Sequence, residues 1–288
     1  MCDEFIHPGM VSDARLSRRT FGMMTVATAG IASGALAQSD AVESDVTVKT
    51  PDGSCDAVLF HPAGNGHWPA VLIWPDIMGL RPAFRDMGKR LAAQGHVVLV
   101  PNPFYRSAKA PVVPATFDFG TDTELRNKLT GYRAAMTDDG IDRDATAYLA
   151  FLDAQPQTAK GKKVGVQGYC MGGALAFRTA AAVSSRIAAV GSFHGGNGLV
   201  TKNPNSPHLL IPKTHATFLV LQAQNDDASQ PTVKDDLKAA FAAAGRPATV
   251  EVYHANHGWC VPGGAVYDQG EAERAWTALG ALYRTNLA

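Results

Sequence analysis

The chain has 288 residues, of which 46% are hydrophobic and 18% charged, a profile that suits one large globular domain with a substantial core. Its 26 basic and 26 acidic residues cancel, so the charge balance points to neither nucleic acid nor an anionic membrane surface as partner. In the body of the chain no apolar run is long enough to span a bilayer.

The N-terminal stretch differs in character. Ser17-Arg18-Arg19-Thr20-Phe21 is a twin-arginine pattern, Gly22 to Ala37 is uncharged and moderately apolar, and Ala35-Leu36-Ala37 is an A-x-A cleavage signal before Gln38. The three parts in this order resemble a Tat export signal, which implies that residues 1–37 are a removable leader recognised by the Tat machinery. On that reading 38–288 is a single domain, periplasmic or secreted. The alternative is a retained N-terminal helix on a cytoplasmic protein. Cys2 would leave with the leader, and Cys55, Cys170 and Cys260 would remain. An odd number leaves at least one free thiol, and so few cysteines do not make a disulfide framework.

From Asp45 to Thr50 the pattern alternates as a strand does. Pro51-Asp52-Gly53-Ser54 is a turn, and Cys55 to Phe60 returns, giving an opening hairpin. Ala70 to Trp74 is continuously apolar, as expected of a strand buried on both faces. Pro82 to Gln94 has helical spacing and stops at Gly95, and His96 to Val100 is a further buried strand. Residues 101–140 have weak periodicity and form a long excursion with one helix near Leu125 to Met136. Asp142 to Gln155 is helical. A strand ending at Gln167 then leads into a helix running to Val183, with another strand from Ile187 to Phe193. Ala216 to Gln222 is a strand, Asn225-Asp226-Asp227 a loop, Thr232 to Ala244 a helix, Ala248 to Tyr253 a strand and Asp268 to Leu287 a closing helix. Strands alternate with helices, so the predicted fold is α/β with a mostly parallel central sheet and helices on both faces.

Sites in such sheets gather at the carboxyl ends of the strands. Asp76, Arg106, Cys170, the pair Asp226 and Asp227, and His257 all follow predicted strands. Gly168-Tyr169-Cys170-Met171-Gly172 stands between strand and helix, the context of a nucleophile elbow, here with a thiol. Cys170 is the candidate nucleophile, favoured as thiolate by the helix start and by an imidazole. His257 is the candidate base, with His254 as competitor. One aspartate of the 226/227 pair would orient the imidazole, and the residues alone do not choose between them. The backbone amides of Met171 and Ile77 are placed to form an oxyanion hole. Asp76 is a candidate acid that holds the thiol proton at rest, or else an Asx-turn residue. Arg106 would bind a substrate carboxylate with its planar fork, while Tyr105 packs on the substrate. His254 and His257 lack a third ligand of convincing spacing, so neither metal nor cofactor is expected.

These residues resemble the dienelactone hydrolase family, α/β-hydrolases with a cysteine nucleophile that open cyclic enol-lactones. Its carriers are Trp74-Pro75-Asp76-Ile77-Met78-Gly79-Leu80, Pro101-Asn102-Pro103-Phe104-Tyr105-Arg106, Gly168-Tyr169-Cys170-Met171-Gly172-Gly173, Asn225-Asp226-Asp227 with Pro231, and His257-Gly258-Trp259. The resemblance runs from about Val46 to the C-terminus. It implies an α/β-hydrolase fold, a small ester or lactone as substrate, and a Cys170–His257–Asp triad working through a thioester. The family's spacing to Pro231 favours Asp227. Asp76 stands where the best-known members carry glutamate, one methylene longer. Arg106 matches the first of two carboxylate-binding arginines, but the second position holds Val261, leaving Arg81 and Lys109 as candidates for that role. The alternatives are a thiol redox or sensor protein in which Cys260 approaches Cys170, and a non-catalytic binding module.

Overall fold

The computed structural model describes residues 40–287. The twin-arginine pattern, the A-x-A signal and the expected cleavage point lie outside these residues. Within them, eight strands form one sheet in the order β1-β2-β4-β3-β5-β6-β7-β8. The strands are β1 (Ala41–Thr50), β2 (Gly53–Pro62), β3 (Ala70–Trp74), β4 (Val97–Pro101), β5 (Val164–Tyr169), β6 (Ile187–Phe193), β7 (Thr217–Ala223) and β8 (Ala248–Tyr253). The β1–β2 hairpin and the β2–β4 pair are antiparallel, and every other pairing is parallel. This is the α/β-hydrolase architecture expected from the alternation of strand and helix patterns.

Helices cover both faces because β3, β4 and β5 are buried on both. On one face α3 (Asp138–Ala154), α4 (Met171–Ala182) and α6 (Val233–Ala244) contribute Tyr148, Leu175, Phe177, Leu237 and Phe241 to a single apolar cluster. The opposite face is closed by α1 (Pro82–Ala93) and α7 (Gln269–Asn286), through Phe84, Leu91, Leu279 and Tyr283. Two buried polar links fix helices to the sheet. Trp74 Nε1 donates to Thr179 Oγ1 at 2.9 Å, tying α4 to β3, and Tyr283 Oη donates to Gln167 Oε1 at 2.8 Å, tying α7 to β5.

The excursion after β4 carries α2 (Thr123–Ala134), capped by Asp122, whose side chain accepts from the Leu125 amide. Helix α3 starts four residues earlier than its apolar spacing indicates. Thr137 caps it by accepting from the Gly140 amide, and Asp138 and Asp139 favour the positive end of the helix dipole. The stretch after β7, expected as a loop, is the short helix α5 (Gln224–Ser229).

One contact governs where α4 can lie. A Cβ at Gly172 would stand 2.4 Å from the Trp74 carbonyl oxygen and 2.7 Å from that of Pro75, so the first turn of α4 presses directly on the β3 exit. Gly172→Ala must therefore push helix and strand apart. We expect this variant to lose about 3 kcal/mol or more in urea unfolding, at the upper end of overpacking costs. A loss below about 1 kcal/mol would show that the contact yields freely.

Candidate active site

Between β5 and α4 the chain reverses within a single residue. Cys170, the N-cap of α4, has φ 54° and ψ −121°, a conformation that β-carbon sterics disfavour in all residues but glycine. It is held by close packing on both sides. A Cβ at Gly168 would fall 1.8 Å from the Gly172 carbonyl oxygen, so only glycine fits before the bend. The Cys170 amide donates to the Phe193 carbonyl at 3.0 Å and toward His194 Nδ1 at 3.1 Å, anchoring the bend to the end of β6. Cys170 itself stays partly exposed, whereas the other described cysteines, Cys55 and Cys260, are buried, and all three are free thiols.

His257 stands close enough to this sulfur for the two groups to act on one another electrostatically. Its Nδ1 lies 2.8 Å from Asp226 Oδ2, and its backbone amide donates to Asn225 Oδ1 at 2.8 Å. The Gln224 amide donates to the Ala255 carbonyl at 3.0 Å, so the segments leaving β7 and β8 are latched together and the imidazole is fixed from both. Burial works against the imidazolium, but the Asp226 carboxylate and the Cys170 sulfur outweigh it and raise the His257 pKa to about 10. The competing His254 is exposed at the surface.

The acid partner of the imidazole is Asp226, which corrects the expectation of Asp227. Because α5 is helical, neighbouring side chains diverge by about 100° around its axis. Asp226 turns toward Gly196, whose φ of 50° and missing Cβ leave space for the carboxylate; a Cβ there would stand 2.9 Å from Asp226 Oδ2. Asp227 turns away and pairs with Lys234 Nζ at 2.7 and 2.9 Å.

Asp76 is likewise occupied. Arg81 grips it with two hydrogen bonds of 2.6 and 2.8 Å, and the Met78 amide donates to Asp76 Oδ1 at 2.9 Å. It makes no hydrogen bond to Cys170, so the expected role of holding the thiol proton gives way to an Asx turn buttressed by an ion pair. That turn sets the path of Pro75 to Gly79 beside the elbow. The amides of Ile77 and Met171 flank the bend, and neither has an acceptor among the described residues.

Arg106 and Tyr105 also differ from expectation. Arg106 donates to Asp144 at 2.8 Å through both terminal nitrogens, to Asp52 at 2.6 and 3.2 Å, and to the Gly140 carbonyl at 3.2 Å. Tyr105 Oη donates to Asp144 Oδ1 at 2.7 Å and lies 2.7 Å from Thr50 Oγ1. Both therefore tie the tip of the β1–β2 hairpin to α3. All three nitrogens of the Arg106 fork already bond the Asp52 and Asp144 carboxylates, so the guanidinium is neutralised in place rather than held ready for a substrate carboxylate. Val261 is buried in the apolar cluster of the α1/α7 face, Arg81 is spent on Asp76, and Lys109 is exposed.

One residue of the site escapes sequence reasoning. His194, at φ 39°, is buried behind the elbow with its ring 4.8 Å from that of His257, edge to face. Burial, reinforced by His257, pushes its pKa well below the ordinary value, so it is neutral. The Cys170 amide points at Nδ1, which places its proton on Nε2. The available signal was its position at the end of β6, followed by two glycines. Cys260 is buried in the same cluster as Val261, and its thiol is raised well above the usual range by burial. No group of three metal-ligating side chains occurs among the described residues, nor does any described helix have the length and apolarity to cross a membrane.

The dienelactone hydrolase family model matches residues 55–287. The chain belongs to the dienelactone hydrolase family. A relative from Methylorubrum extorquens, whose name assigns it provisionally to the carboxymethylenebutenolidases, is 25% identical over 289 residues, 96% of this chain and 95% of its own length. A carboxymethylenebutenolidase of Rhodococcus opacus is 27% identical over 206 residues, 71% of this chain and 75% of its own. Among solved structures, a dienelactone hydrolase-like promiscuous phosphotriesterase from metagenomic libraries superposes with a TM-score of 0.70 at 22% identity, covering 86% of this chain and all of the other. Membership makes the protein a hydrolase of this family, and the structural likeness bears out the fold.

The choice between the two aspartates is open to direct measurement. In Asp226→Asn the imidazole of His257 loses its carboxylate, and its pKa should fall from about 10 by at least about one unit in a ring-carbon NMR titration. Asp227→Asn should leave the titration in place. The reverse pattern would return the role to Asp227.

Proposed function

We propose that the protein hydrolyses small carboxylic esters or lactones through a Cys170–His257–Asp226 triad. The observation that carries this reading is the imidazole held between the sulfur and a buried-side carboxylate at the carboxyl edge of the sheet. The thiolate of Cys170 adds to the substrate carbonyl carbon, and the carbonyl electron pair moves onto oxygen. That oxyanion is met by the amides of Met171 and Ile77, which are otherwise without acceptors. When the tetrahedral intermediate collapses, the ester C–O bond breaks and the leaving oxygen takes a proton from His257. A water molecule then gives a proton to His257 as it attacks the thioester, and the sulfur departs as thiolate with the acid product. Asp226 keeps Nδ1 protonated and stabilises the imidazolium throughout. Enol-lactones and aryl esters suit this path because their leaving groups are good.

The burial of Cys260 and the free state of all three described cysteines support hydrolysis over a redox exchange between Cys170 and Cys260. The twin-arginine segment supports export, which would place the reaction in the periplasm or outside the cell.

Turnover of p-nitrophenyl acetate and of a simple enol-lactone by reduced protein tests the proposal. Cys170→Ala should lower kcat by about a thousand-fold or more, as removal of a triad nucleophile does. Equal turnover in wild type and Cys170→Ala would refute it.

A further inference from the structure

Packing alone does not account for a histidine at position 194. The residue is buried, and its φ of 39° lies in a region that few non-glycine residues adopt. Its Nε2 has no partner among the described residues, so the hydrogen bond from the Cys170 amide to Nδ1, 3.1 Å, is the ring's only one to another described residue. An apolar ring would fill the same space without burying a polar group. The reason for an imidazole here therefore lies at Nδ1.

The segment Phe193 to Gly196 touches Cys170, Asp226 and His257 alike. The Phe193 carbonyl and His194 Nδ1 both accept from the Cys170 amide, so the bend is held by acceptors on successive residues. Gly196 leaves the room that the Asp226 carboxylate occupies. Between these contacts the His194 ring stands edge to face with His257 at 4.8 Å and with Trp259 at 5.2 Å, both on the loop that delivers the base. The backbone below is fixed as well, since the His194 amide donates to the Leu221 carbonyl at 2.8 Å. Burial, with His257 beside it, keeps the ring neutral when His257 becomes an imidazolium. A protonated His194 would set a second cation against that imidazolium and turn Nδ1 into a donor facing the Cys170 N–H.

We propose that His194 is a positioning residue of the reaction: Nδ1 fixes the elbow amide and the ring walls the imidazole of His257, which together hold sulfur and base in reacting alignment. The inference deepens the hydrolase reading of Cys170 and rests on it. Being buried, His194 acts through these two residues and not on the substrate.

The test compares His194→Asn with His194→Gln. Asparagine sets its carboxamide oxygen near the place of Nδ1 and adopts positive φ readily. Glutamine is nearer to histidine in volume but carries its amide one carbon farther, toward the place of Nε2. With p-nitrophenyl acetate, His194→Gln should lower kcat about ten-fold or more while KM moves less than about two-fold, and His194→Asn should keep a kcat at least about five-fold above that of His194→Gln. His194→Gly suits the backbone and lacks both ring and acceptor, so it should lose at least as much as His194→Gln and keeps the test open should glutamine prevent folding. A kcat in His194→Gly within about two-fold of wild type, equal losses in the asparagine and glutamine variants, or a loss carried by KM would overturn the assignment. Alkylation of Cys170 by iodoacetamide, in which the sulfur displaces iodide, reads the same alignment without ester chemistry. If no ester is turned over, slower alkylation in His194→Gly than in His194→Asn still supports the positioning role, and the missing turnover counts against the hydrolase reading alone. Equal alkylation rates in wild type and His194→Gly would overturn the inference.

Discussion

The close approach of α4 to the ends of β3 and β5 is the constraint from which the candidate site follows. Glycine at 168 and 172 lets backbone pass within distances that any side chain would forbid. The residue between those passages, Cys170, is then forced into a positive-φ bend, and its side chain projects from the crest rather than packing under the helix. The cost of that backbone geometry, about 1–3 kcal/mol for a non-glycine residue, is met by the surrounding packing. Tyr169, immediately before the bend, stacks on Phe193 at a centroid distance of 4.9 Å, and the Trp74 indole fastens the helix behind it. Strain at the sulfur is thus the local consequence of a globally packed sheet–helix layer.

The same economy of placement extends to the neighbouring loops. β6, β7 and β8 run parallel in register, so the turns leaving them arrive side by side: His194 behind the elbow, Asp226 beyond it and His257 above. Asn225 and Gln224 bind the last two turns to one another, which fixes the imidazole without a long side-chain network. On the other flank of the elbow, the Asp76–Arg81 pair shapes the turn carrying the Ile77 amide. Charged residues here serve mostly as braces.

How much of this was legible in the sequence depended on the range of the interactions concerned. Buried strands and amphipathic helices announce themselves by period, and the elbow by two glycines around a cysteine at a strand-to-helix junction, all within a few residues. His257 was legible because it directly follows the last strand. The choice between Asp226 and Asp227 was not, since a one-residue step on a short helix swings the side chain from Gly196 to Lys234, and neither partner is near in sequence. Arg106 was misread for the same reason. Its partners Asp52 and Asp144 lie 54 and 38 residues away, and only the folded chain brings the hairpin tip and α3 to it. His194 offered only its position at the end of β6 before two glycines, because its place behind the elbow comes from parallel registry between β5 and β6.

The central claim is that the sulfur of Cys170, and no other, becomes acylated. Rapid quenching of reduced protein during turnover of an activated aryl ester, followed by peptide mass spectrometry, locates the acyl group. The account requires it on the peptide bearing Cys170, with greater accumulation in His257→Ala, where the base for the water step is gone. Acylation at Cys55, Cys260 or a non-cysteine side chain, with Cys170 left free during turnover, would contradict it.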